Sequence, residues 1–150
     1  MVTSTPITHD IRPLLPGLRA VAAEQDDVLA LYLFGSYASG RPGPLSDVDL
    51  AVLFEPTVPR DRYGERRIAL FSRVAAVLRT DEVDIVVLNT APPLLLYQVL
   101  RHSVLLYEKD SARRARFAAQ AIRQYLDFEP TLDRCQRASL ARIKDKGLRG

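Results

Sequence analysis

The sequence contains only one cysteine and no long apolar run. These two features limit the classes of protein to which it can belong. Cys135 alone cannot form an internal disulfide, so nothing favours an exported, disulfide-stabilised domain. No apolar run approaches the roughly 20 residues that a membrane-spanning helix needs. The first ten residues also lack the basic start and apolar middle of a secretory signal. We therefore expect a cytoplasmic protein that does not enter a membrane.

The net charge is only +3, but the charged residues are unevenly distributed. The last 40 residues carry ten Lys or Arg and four Asp or Glu, which gives +6, whereas the first 110 residues carry −3. A basic segment on a weakly acidic body suits an acidic partner, or nucleic acid, whose binding is not otherwise indicated. The more frequent explanation is the solvated face of a helix.

The chain is 150 residues long with 47% hydrophobic and 26% charged residues, values that are typical of one compact globular domain. We expect a single domain over residues 1–150, with a core over about 28–107 and a helical extension over about 110–146. Short β-rich apolar runs predict strands, and these are Val28–Phe34, Val48–Phe54, Val83–Leu88 and, more weakly, Val104–Tyr107.

Helical patterns lie around these strands. In Arg60–Leu78 an apolar face is spaced at three and four residues, and it consists of Ile68, Phe71, Val74, Ala75 and Leu78. Proline and capping residues predict the start or end of the other helices, which are Ile11–Ala23, Pro92–Arg101, 111–128 and 132–144. The pattern predicts an α/β (α+β) fold with a small mixed central sheet, flanking helices and C-terminal helices, and it leaves the strand order open.

The most informative motif is Gly35-Ser36, which directly follows the first predicted strand. Glycine lets a ligand approach the backbone closely, and a helix that begins here presents free N–H groups to an anion. The Ser36 hydroxyl adds one donor for a phosphate oxygen. A lone Gly-Ser pair is weak evidence, because most such pairs are turns.

After a gap of ten residues, Asp47 and Asp49 open the second predicted strand. Because they are two residues apart, both side chains point to the same face. Two adjacent carboxylates repel each other, and a divalent cation is the usual means of neutralising them. Oxygen ligands favour Mg²⁺ or Mn²⁺, bound together with the phosphates of a nucleotide. The third carboxylate of a two-metal site is expected at Asp84, early in the next strand, with Glu82 as the fallback.

The two motifs together, Gly35-Ser36 and Asp47-x-Asp49, resemble those of the minimal nucleotidyltransferases of the DNA polymerase β superfamily. More narrowly, the chain is similar to the MNT-domain antitoxins that pair with HEPN-domain toxins. The resemblance covers Leu31 to Tyr107, and residues 123–129 resemble the tail of the longer antitoxins. One departure is Ser39, where the family commonly has arginine. The absence of that arginine weakens phosphate contacts but leaves the metal ligands intact.

The resemblance implies ATP as the donor and a tyrosine of the HEPN toxin as the acceptor. In that mechanism Asp47 and Asp49 hold Mg²⁺ against the triphosphate, and Gly35 with Ser36 binds the β- and γ-phosphates. Asp84 binds a second metal and helps to deprotonate the acceptor hydroxyl. The toxin is then neutralised by the transferred AMP, and the basic C-terminal arginines, among them Arg113, Arg114, Arg116 and Arg123, are expected to contact it.

Two alternatives stay open from the sequence. A small-molecule nucleotidyltransferase of the aminoglycoside-modifying type shares the same motifs but usually has a larger helical domain for the drug. A binding-only antitoxin would mask the toxin without chemistry, and it would have no use for three carboxylates. His9 and His102 show no metal-ligand spacing, so structural or surface roles are expected for them.

Overall fold

The computed structural model describes residues 10–40, 42 and 47–127, and its centre is a four-stranded sheet. The strands are β1 (Val28–Phe34), β2 (Val48–Phe54), β3 (Val83–Val87) and β4 (Val104–Glu108). Their order is β3-β2-β1-β4, in which β1 runs antiparallel to both neighbours and β2 runs parallel to β3. The predicted mixed sheet is therefore confirmed.

Helices cover both faces of this sheet. They are α1 (Leu15–Glu24), the four-residue α2 (Gly35–Ala38), α3 (Tyr63–Leu78), α4 (Pro93–His102) and α5, the helical residues 111–127. Short 3₁₀ turns precede α1 and α3 and follow β3. The predicted helix over residues 132–144, together with Cys135, lies outside the described residues.

Alternation along the strands separates two apolar clusters. On the first face, alternate residues of β1 and β2 pack with α1 and α3, and the buried strand residues include Leu31, Leu33, Val48, Leu50 and Val52. On the second face, the intervening residues pack with α4 and α5, and they include Leu29, Tyr32, Ala51 and Leu53. Because successive side chains of a strand point to opposite faces, the first face takes Val48 and Leu50 and the second takes Asp49.

The predicted apolar face of α3 is partly wrong. Val74, Ala75 and Leu78 are buried as expected, but Ile68 is 61% exposed and Leu70 is buried instead. At 3.6 residues per turn, Ile68 lies about 120° around the helix from Val74. It therefore falls at the edge of the face that contacts the sheet.

An ion-pair cluster fastens α5 to the end of β2. Asp110 Oδ1 accepts a hydrogen bond from the backbone N–H of Arg113 at 3.0 Å, so Asp110 caps the helix as predicted. Arg113 donates from Nη1 and Nη2 to the Glu55 carboxylate at 2.5 and 2.8 Å. Lys109 Nζ lies 3.3 Å from the carboxylate of Glu55, a residue that is only 7% exposed.

Among the described helices, none is long and apolar enough to cross a membrane.

Candidate active site

Three paired residues form a row across the second face of the sheet, at one end of the strands. Phe34 of β1 is paired with Asp49 of β2, and Asp49 is paired with Asp84 of β3. Directly paired residues of neighbouring strands point to the same face, and the strands lie about 4.8 Å apart. The row therefore brings together the two carboxylates that the sequence separates by 35 positions.

Asp47 lies just before β2, and its side chain is exposed. It affects Asp49 electrostatically, as does Asp84, so both of these carboxylates lie within electrostatic range of Asp49. Burial raises the pKa of Asp49, and the negative charges of Asp84 and Asp47 raise it further. Asp49 is thus the carboxylate whose charge most needs a compensating cation.

Gly35 closes against this carboxylate. It is the first residue of α2 and has φ +74°, a left-handed conformation that L residues with side chains rarely adopt. A β-carbon at this position would overlap Asp49 Oδ2 and would lie 3.1 Å from its Cγ. Ser36 follows in the same short helix and is half-buried. The strand end and the acidic pair are therefore in direct contact.

The donor set fits a hard divalent cation bound together with a substrate. None of the described lysines or arginines forms an ion pair with Asp47, Asp49 or Asp84. The described part of the chain also has no group of three or more Asp, Glu, His or Cys side chains already arranged to hold a metal. Mg²⁺ is usually held by one or two carboxylates plus substrate phosphates rather than by a complete protein cage, so the carboxylates fit that mode of binding.

The structure distinguishes Asp84 from its fallback, Glu82. Glu82 precedes β3, where its carbonyl oxygen accepts a hydrogen bond from the N–H of Val48 at 3.0 Å. Its charge acts on Tyr37, whose pKa is raised first by burial and then by Glu82. Asp84 instead faces Asp49 in the row. Asp84, and not Glu82, is therefore the residue paired with Asp49.

His102, which no sequence pattern singled out for the site, lies at this same end of the strands. It ends α4 two residues before β4 begins, and β4 pairs its first residue, Val104, with Leu33 beside the end of β1. His102 also lines a cavity with Gly35. The available signal was its position just before the predicted fourth strand, but only the antiparallel pairing of β4 with β1 brings it to the site.

Two of the arginines expected to contact a partner are used within the chain. Arg113 binds Glu55, and Arg114 forms an ion pair with Glu108 of β4. Arg116 and Arg123 are exposed on α5. Arg113 and Arg114 therefore attach α5 to the sheet.

Comparison with protein families gives one match that spans the site. A family model described as polymerase beta, nucleotidyltransferase matches residues 17–112, which include all four strands and every predicted site residue. Among proteins of curated function, no sequence matches this chain.

Solved structures similar to this one come from toxin–antitoxin complexes. A chain of a toxin–antitoxin structure with AMP-PNP is 27% identical with a TM-score of 0.65, covering 87% of this chain and 96% of that one. A toxin–antitoxin mutant with two Asp-to-Glu substitutions two positions apart is 25% identical, with a TM-score of 0.65 and coverages of 87% and 95%. A complex of tri-AMPylated HEPN toxin and MNT antitoxin from Shewanella oneidensis shares the fold at 23% identity and a TM-score of 0.66, covering 86% and 98%.

Proposed function

Because this chain belongs to the polymerase beta nucleotidyltransferase family, we propose that it is the antitoxin of a type VII HEPN/MNT toxin–antitoxin pair. It transfers AMP from ATP to a tyrosine of its HEPN-domain toxin in the cytoplasm and thereby neutralises the toxin. The observation that carries the proposal is the Asp49–Asp84 pair with Gly35 closed against Asp49. The likeness to a toxin–antitoxin structure with AMP-PNP supports the partner and the nucleotide.

In this proposal the chain's own residues position the donor. Gly35 and Ser36 bind the β- and γ-phosphates, because the Gly35 backbone lies against the Asp49 carboxylate without a side chain between them. Asp47 and Asp49 would hold Mg²⁺ or Mn²⁺, and Asp84 would hold a second ion. Metal ions at such a site stabilise negative charge on the attacking and leaving oxygens when they are bound.

The chemical step needs one base and one good leaving group. Asp84 accepts the proton of the tyrosine hydroxyl, and the phenolic oxygen forms a bond to the α-phosphorus of ATP. The bond from the α-phosphorus to the bridging oxygen breaks, and pyrophosphate leaves with that electron pair. Asp84 suits this role because it is exposed, so a side chain from a partner protein can reach it. The protein contributes mainly positioning and charge.

A protein acceptor is supported by the likeness to a toxin–antitoxin structure with AMP-PNP, in which 96% of the matched chain is covered. A binding-only antitoxin is disfavoured because a masking surface has no use for the carboxylates beside Gly35.

Transfer of label from α-³²P-ATP tests the proposal. The purified chain and the protein encoded by its neighbouring reading frame are incubated with Mg²⁺, using wild type and the Asp47→Ala, Asp49→Ala double variant. Asp61→Ala, an exposed carboxylate outside the site, is the control. Label on the neighbouring protein with wild type and control only is the expected result. Inhibition of the toxin by every variant without label would establish a binding-only antitoxin instead.

A further inference from the structure

A cavity of about 270 Å³ opens beside Gly35. The residues that line it come from the end of β1, the start of α2 and one side of α4, and they are Phe34, Gly35, Leu95, Gln98, Val99 and His102. Pockets for whole drug-sized ligands measure roughly 300–1,000 Å³. The cavity is therefore large enough for one part of a nucleotide and too small for all of it.

Its position relative to the carboxylates is fixed by the strand pairing. Phe34 belongs to the same row as Asp49 and Asp84 and lies on the same face. With strands about 4.8 Å apart, the cavity begins one strand from Asp49 and two strands from Asp84. It lies on the β1 side of Asp49, whereas Asp84 lies on the β3 side. An acceptor whose hydroxyl is deprotonated by Asp84 approaches from that opposite side.

The lining suits an uncharged ring with one polar edge. Phe34, Leu95 and Val99 supply apolar walls that continue the second hydrophobic cluster. Gln98 and His102 are four residues apart on α4, so their side chains are neighbours on one side of the helix. Among the described residues, the lining includes no Asp, Glu, Lys or Arg, which disfavours a phosphate group as the occupant.

We propose that this cavity holds the adenine base of the donor nucleotide, with the Gln98 amide hydrogen-bonded to the edge of the base. The inference rests on the proposed function, because it takes Gly35 and Ser36 as the phosphate-binding residues. An amide presents one donor and one acceptor, which pair with an adenine edge that offers an amino group beside a ring nitrogen. The apolar walls then pack against the faces of the ring. Gln98 is exposed and its side chain forms no hydrogen bond with another described residue, so its role is in binding rather than in stability.

Isothermal titration with two ligands separates the base from the phosphates. AMP-PNP contains both parts, whereas inorganic tripolyphosphate has no base. Gln98→Ala should bind AMP-PNP about tenfold more weakly and should bind tripolyphosphate as wild type does. Gln120→Ala is the matched control, since Gln120 is also an exposed helical glutamine but lines a different cavity, near Phe54 at the other end of the strands.

A second variant, Leu95→Trp, fills the cavity with a larger side chain. It should weaken AMP-PNP binding at least as much as Gln98→Ala and leave tripolyphosphate binding unchanged. An equal loss of affinity for both ligands would overturn the inference, because it would mean that α4 only supports the phosphate-binding residues. Unchanged AMP-PNP affinity with a raised KM for the toxin would also overturn it and would assign the cavity to the acceptor.

Because these titrations contain no toxin, their result does not depend on whether the proposed function is correct. A chain that binds AMP-PNP through Gln98 but transfers no label to the toxin would contradict the antitoxin proposal and leave the base site standing. A chain that labels the toxin normally while Gln98→Ala and Leu95→Trp bind AMP-PNP as wild type does would contradict only the base site.

Discussion

Gly35 and the carboxylate of Asp49 are packed so closely that no side chain fits between them. A β-carbon on residue 35 would overlap Asp49 Oδ2, and the backbone at this position has φ +74°. Space and backbone conformation therefore each require glycine here. The end of β1 and the acidic start of β2 form one unit rather than two adjacent motifs.

We expect Gly35→Ala to lower both activity and stability. A left-handed conformation costs an L residue about 1–2 kcal/mol, and the overlap with Asp49 adds to that cost. Gly40→Ala is a matched control, because Gly40 has φ +75° but a β-carbon there would meet no atom within 4 Å. Urea unfolding should show a larger loss for residue 35 than for residue 40, and only Gly35→Ala should lose nucleotide transfer, by at least about tenfold. Equal losses at the two positions would contradict the close packing.

We expect Asp49→Asn to stabilise the metal-free protein while removing activity. Burial and the neighbouring carboxylates raise the pKa of Asp49, so its charged form is less stable in the folded state than in the unfolded state. Because solvent screens this half-buried carboxylate, removing its charge should raise the free energy of unfolding by up to about 1 kcal/mol, or Tm by up to about 2–4 °C. Thermal unfolding in EDTA measures this, with Asp61→Asn as the exposed control. A lower Tm for Asp49→Asn would show that the carboxylate is stabilised rather than strained.

The third carboxylate can be identified by comparing Asp84→Asn with Glu82→Gln. Asp84 is paired with Asp49, whereas Glu82 acts on Tyr37. Asp84→Asn should lower the rate of AMP transfer by at least about 100-fold, as loss of a general base does, with the Tm nearly unchanged because Asp84 is exposed. Glu82→Gln should transfer AMP within about threefold of the wild-type rate. The opposite order of activities would assign the role to Glu82.

The attachment of α5 should weaken in acid. Hydrogen bonds from Arg113 hold the pKa of Glu55 below its usual value, with a further contribution from Lys109. Since the folded pKa is lowered, this stabilisation is fully present above the unfolded pKa of about 4.5. It is lost as the pH falls through the folded pKa.

Two variants test this ion pair at neutral pH and in acid. Arg113→Ala leaves the buried Glu55 with Lys109 alone and should lower the free energy of unfolding, whereas Arg116→Ala, an exposed position on the same helix, should change it much less. Glu55→Gln should show a shallower loss of stability below pH 4.5 than wild type. Parallel acid-unfolding curves for the two proteins would exclude this carboxylate as the titrating group.

Local patterns predicted β1 and β2 with the bounds that the structure has, because both strands are apolar runs ended by Gly-Ser or opened by Asp-x-Asp. The neighbour of Asp49 was harder to predict. Strand order depends on contacts between distant segments, and the parallel pairing that sets Asp84 beside Asp49 leaves no signal in either strand. Asp84 was expected at the site because it lies early in the next β-rich run, and that position alone does not predict its pairing with Asp49.

Residues outside the motifs were missed for a related reason. Gln98 and His102 lie on an ordinary amphipathic helix, and only the return of the chain through β4 brings that helix to Gly35. The ion pair between Arg113 and Glu55 was also missed. The charge of Arg113 is typical of a surface residue in sequence, and its partner, Glu55, is 58 residues away.

The row from Phe34 through Asp49 to Asp84 also bears on how the chain reaches its native state. A slip of one residue in the pairing of β2 would turn Asp49 to the opposite face, among the leucines and valines that pack with α1 and α3. Burying an unpaired carboxylate there would cost several kcal/mol. Asp49 therefore destabilises a misregistered sheet, which would also lack the active site. In this way the acidic motif helps to select the correctly folded chain.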